Sequence, residues 1–92
     1  MRIAGYIEHP DCKITVFKTG TRYAIKVETG LYEQTFKLRE HVGIETFDDV
    51  KPLVTEPFIQ SCMVRFNDMH QDLTSSISSF LETDEDEFEE II

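Results

Sequence analysis

Apolar and polar residues alternate through the first forty positions of the chain and then change period. "CKITVFK" sets Cys12, Ile14 and Val16 against Lys13, Thr15 and Phe17, and "TRYAIKVE" sets Tyr23, Ile25 and Val27 against Arg22, Ala24 and Lys26. A period of two is that of a strand with one buried face. Thr19-Gly20 and Thr29-Gly30 separate these runs, and glycine supplies the positive φ that a two-residue hairpin turn needs. Turns centred there predict that Val16 faces Tyr23, Ile14 faces Ile25 and Cys12 faces Val27. On the next pair they set Val27 against Tyr32, Ile25 against Gln34 and Tyr23 against Phe36. Every apolar residue in these pairs then shares one face, with Gln34 the exception, and a slip of one residue would scatter them. The expected meander has strands at about 12–18, 21–28 and 31–38, preceded by a strand at about 2–8 that enters through the "HPD" turn at 9–11.

From residue 46 the period is helical. Thr46 with Asp49 three residues on is a short-armed capping box, and Pro52 keeps the helix it starts, about 47–54, short or irregular. Thr55 and Pro57 then open a long helix over about 56–81. Ile59, Cys62, Met63, Phe66, Met69, His70, Leu73, Ile77, Phe80 and Leu81 fall on one stripe of it. Laying that stripe on the inner face of the sheet buries both, an α+β arrangement with one core. "TSSISS" at 74–79 is where the helix is expected to loosen, because serine is a poor helix former.

Composition changes this picture in two ways. At 92 residues and 40% hydrophobic, the chain has the material for one domain with a modest core, which dimerisation would help to stabilise. Its net charge of −9 is divided unevenly, about +3 over residues 1–39 and −12 over 40–92. Two cysteines and no secretory pattern at the start lead us to expect a reducing cytoplasm, and no run is long enough to span a bilayer. The domain is expected to occupy 1–82. Residues 83–92, crowded with carboxylates around Phe88, Ile91 and Ile92, form an acidic segment expected to fray or detach. Its apolar edge could dock on a basic surface, or it could simply solubilise the chain.

Chemistry is sparse. His9 and Cys12 have a His-x-x-Cys spacing beside Asp11, but a zinc site needs two further ligands, and His41, Cys62 and His70 do not form a second close pair. Cys62 reads as a small buried apolar side chain, and His70 as a partly buried side chain bonded at the sheet edge. Asp48-Asp49 reads as a solvated first helical turn. No phosphate-binding glycine loop, nucleophile elbow or helical histidine pair is present, so no catalytic, cofactor-binding or metal residue is assigned and the chain is not read as an enzyme. The outer sheet face, with Lys13, Thr15, Phe17, Arg22, Ala24, Lys26, Glu33, Thr35 and Lys37, is basic. Lys26 is expected opposite Glu33 on one side and Lys13 on the other. Sheets that bind RNA stack bases on two or three aromatic rings, and only Phe17 is expected on this face.

"CKITVF", "RYAIKVE" and "LYEQTFKL" with the helix after them resemble small uncharacterised proteins of Bacteroidetes bacteria over residues 2–73. The resemblance implies a bacterial cytoplasmic setting and no activity. The reading that results is a small non-enzymatic cytoplasmic interaction module whose partner is another protein or a second copy bound through the open sheet face. Candidate contacts are Phe17, Arg22, Lys26 and Lys37 on the sheet and Phe88 and Ile91 on the acidic end. The alternative is a role linked to nucleic acid, through RNA on the basic sheet face or through acidic mimicry of nucleic acid by residues 40–92.

Overall fold

The computed structural model describes residues 1–39 and 43–83. Four strands, β1 (Arg2–Ile7), β2 (Lys13–Thr19), β3 (Arg22–Thr29) and β4 (Tyr32–Lys37), form one antiparallel sheet in chain order. A four-residue helix α1 (Phe47–Val50) runs into a 3-10 turn at Lys51–Leu53, and α2 (Glu56–Thr83) follows. The fold is therefore α+β, with a meander and a long helix on its inner face. His41 and the candidate contacts Phe88 and Ile91 lie outside the described residues.

The hairpin register differs from the expected one by a step that leaves the faces unchanged. Val16 pairs with Ile25 and Ile14 with Val27, and on the next ladder Ile25 pairs with Phe36 and Val27 with Gln34. The two-residue turns are thus Gly20-Thr21 and Gly30-Leu31. Gly20 and Gly30 have φ of 62° and 54°, and no non-glycine residue among those described has positive φ. Glycine at the first turn position followed by a residue of negative φ is the type II′ arrangement, whose twist suits a hairpin. Each turn moves one residue along the chain, so each partner moves by two, and an even shift keeps every side chain on its face. Lys26 accordingly sits opposite Thr15 and Thr35, not Lys13 and Glu33; Glu28 takes the place between Lys13 and Glu33.

The inner face holds the core. Ile14, Val16, Tyr23, Ile25 and Val27 of the sheet are buried together with Val50, Ile59, Cys62 and Phe66. Thr46 caps α1 as its spacing predicts: its hydroxyl accepts the Asp49 N–H at 3.3 Å, and the Asp49 carboxylate accepts the Thr46 N–H at 3.0 Å. α1 lies over β1 because Gly5 offers it room. A Cβ at Gly5 would come within 2.6 Å of the Phe47 ring. Nearby, the Tyr23 hydroxyl donates to the Glu45 carbonyl at 3.1 Å and pins the loop that leads into α1.

Candidate interaction surface

α2 begins as a well-anchored helix. Thr55 accepts the Phe58 N–H at 3.2 Å on its hydroxyl, which satisfies one of the donors that a helix start leaves free, and its carbonyl accepts the Ile59 N–H at 3.0 Å as the first bond of the helix. Glu56, in the first turn, receives a bond from Gln60 at 2.9 Å and one from His9 at 3.1 Å. The Asp11 N–H, which can only donate, bonds His9 Nδ1 at 3.1 Å, so the ring proton lies on Nε2 and points at Glu56. His9 therefore ties the β1–β2 turn to the start of α2. The Gln60 and His9 bonds hold the Glu56 carboxyl below its ordinary range.

The middle of the helix runs along β4. Phe58 meets Phe36 edge to face with centroids 4.9 Å apart. Gln34, the polar exception on the inner face, donates to the Cys62 carbonyl at 2.8 Å and accepts from Arg65 Nε at 2.8 Å. Both ends of its amide are used, which is the condition for placing it against a helix. Arg65 also lies 5.8 Å from the Phe36 ring centre, and its guanidinium reaches Cys62 Sγ at 3.5 Å. His70 bonds the Tyr32 hydroxyl at 3.0 Å, so it does bond at the sheet edge, but it is exposed rather than half-buried.

Past His70 the helix leaves the sheet. Every residue from Gln71 to Leu81 is exposed, and among them Leu73 is 46% accessible, Ile77 49%, Phe80 63% and Leu81 40%. At about 100° per residue Leu73, Ile77 and Phe80 fall in the same angular range as Ile59, Cys62 and Phe66, and Leu81 falls beside them at the angle of Met63. The apolar stripe is continuous, the cover over it is not, and the serines at 74–79 do not interrupt the helix. This projection accounts for the long axis of a molecule measuring 58 × 26 × 20 Å.

The outer sheet face is less open than its residue types imply. Phe17 is half-buried with the Lys26 ammonium 5.3 Å from its ring centre, and Lys26 also pairs with Glu28 at 3.4 Å. Thr15, between Tyr6 and Lys26 in the ladder, is buried. Arg22 and Lys37 are exposed, and with Thr19, Tyr23 and Arg39 they line a cleft of about 480 Å³. The sequence pattern did not disclose Ile3 and Tyr6, which stand on this face opposite Phe17 and Thr15 and are half accessible. A register break between Ile3 and Gly5 puts them there. Gly5 was the available signal, since glycine inside a strand marks a bulge or a close approach, and here it marks both.

The His9–Cys12 turn borders a cleft of about 650 Å³ lined also by Tyr6, Ile7 and Lys13. Burial pushes the Cys12 thiol up, and Asp11, Cys62 and Glu56 add to the rise, so the thiolate is disfavoured there. Among the described residues no three His, Cys, Asp or Glu side chains are grouped to hold a metal ion, and no helix is long and apolar enough to cross a membrane.

Comparison with family models, curated proteins and solved structures returned no match.

Proposed function

We propose that this protein is a non-enzymatic, cytoplasmic protein-interaction module and that its principal contact surface is the far half of α2. One observation carries this reading: Leu73, Ile77, Phe80 and Leu81 form a row of large apolar side chains on a helix face with nothing over it among the described residues. Exposed apolar rows of this kind mark association surfaces, because leaving them in water forgoes the burial that orders such side chains elsewhere. The test is to compare the full chain with an Ile77→Asp/Phe80→Asp variant in chemical cross-linking within cells of the source, read by mass spectrometry. Loss of cross-linked protein, self or foreign, from a variant that keeps its circular dichroism supports the reading. The same cross-links in both would exclude it.

A second reading draws on Tyr6. Its ring joins Phe17 on the outer face near Lys13 and Lys26, which brings that face to two aromatic rings among cations, the minimum for stacking single-stranded nucleic acid. It requires binding to single strands that falls steeply with salt, and a flat signal at low salt removes it.

A further inference from the structure

The contacts of α2 along β4 direct attention to the strand itself. β4 is a sheet edge, six residues long and in unbroken register with β3. The Leu38 N–H bonds the Tyr23 carbonyl at 2.8 Å, so the even-numbered residues of this segment turn their backbone groups toward β3. The N–H and C=O groups of Glu33, Thr35 and Lys37 therefore point out of the sheet. The opposite edge, β1, is interrupted by its bulge, a device that discourages edge pairing, whereas the β3–β4 ladder has no bulge. The charges on β4 are also unsettled. Glu33 faces the like-charged Glu28, and among the described residues neither Glu33 nor Lys37 has an ion-pair partner.

We propose that the partner is a second copy of the chain, with β4 pairing antiparallel to β4 of that copy about a two-fold axis at Thr35. The proposal rests on the interaction-module reading and names its partner. In this register Thr35 meets Thr35 and Glu33 meets Lys37, twice by symmetry, so two opposite-charge pairs form between groups that have no ion-pair partner among the described residues of either monomer. The outward backbone groups of Glu33, Thr35 and Lys37 fall in the hydrogen-bonded positions of the new ladder. The inner faces of the two sheets become continuous, and α2 of each copy leaves its own sheet at Tyr32, the first residue of the pairing strand. The helix beyond His70 is about 20 Å long and starts at the pairing edge, so its apolar row lies within reach of the neighbour. Edge pairing alone is a narrow contact; the helix adds the apolar cover that a stable interface needs.

Sedimentation equilibrium of the full chain over micromolar to submillimolar concentrations tests this. The chain sediments as a dimer. Glu33→Lys and Lys37→Glu each weaken association by about ten-fold or more, since each replaces two attractive contacts by two repulsive ones, and the double exchange Glu33→Lys/Lys37→Glu restores it. Thr35→Pro abolishes the dimer while leaving the fold intact by circular dichroism, because the N–H it removes points away from β3. A dimer indifferent to Thr35→Pro, or single exchanges that the double one does not rescue, overturns the proposal. So does a dimer lost only with Phe17→Glu or Tyr6→Glu, which would move the contact to the outer face. A chain monomeric throughout overturns it too; if the Ile77→Asp/Phe80→Asp variant still loses a foreign cross-link, the module stands with a different partner.

Discussion

Phe66 and Phe80 are the same residue on the same face of the same helix, fourteen positions apart, and one is 5% accessible while the other is 63%. Up to His70, α2 is held by a capped start, by the His9–Glu56 and Gln34 bonds and by the Tyr32–His70 contact. Beyond His70 it has the same pattern and no sheet beneath it. The difference shows that a helical stripe specifies a direction for its side chains and leaves the identity of the opposing surface to the rest of the molecule.

The sharpest way to break the comparison is to truncate both phenylalanines. Phe66→Ala removes a buried ring and is expected to cost about 3–5 kcal/mol in chemical denaturation. The Gln34 bonds come next: Gln34→Ala leaves Arg65 without its acceptor and is expected to cost about 2 kcal/mol, with faster amide exchange over the pinned half of α2 only. Removing the cap with Thr55→Ala is expected to cost about 1 kcal/mol by the same denaturation assay.

A smaller effect depends on pH. The depressed Glu56 carboxyl contributes stability that is present above its unfolded value and lost as pH falls through the lower folded one. Stability should therefore decline on the acid side of the ordinary carboxylate range, and Glu56→Gln should flatten that decline in thermal melts taken across pH. An identical acid limb in the variant would show that the clasp contributes nothing. The smallest effect is that of Phe80→Ala, which in dilute monomeric protein is expected to change stability by less than about 0.5 kcal/mol. A loss comparable to that of Phe66→Ala would mean that the far half of α2 packs on the domain after all.

Reading the chain in order recovers the inner face because alternation needs no knowledge of the partner strand. Ile14, Val16, Ile25 and Val27 are buried whichever of the two even registers the turns adopt. The register itself turned on whether Gly20 and Gly30 stand first or second in their turns, a choice between backbone geometries that the residue pair alone does not settle. The candidate surface was legible in part. Phe17, Arg22, Lys26 and Lys37 are on the outer face as expected, yet Lys26 shields Phe17 and pairs with Glu28, because the true register sets it across from threonines instead of charges. Tyr6 was hidden by a bulge that shifts the parity of β1.

What the sequence determined by itself is therefore local: two periods, glycine-bearing turns, the Thr46 and Thr55 caps and an apolar stripe that runs through Leu81. These follow from backbone geometry and from bonds spanning a few residues. Only the tertiary structure decided where that stripe has a sheet to cover. The sheet ends at β4 and α2 does not, so Leu73, Ile77, Phe80 and Leu81 remain exposed beside an unpaired strand edge. Burial is a relation between two surfaces, and a periodic pattern describes one of them.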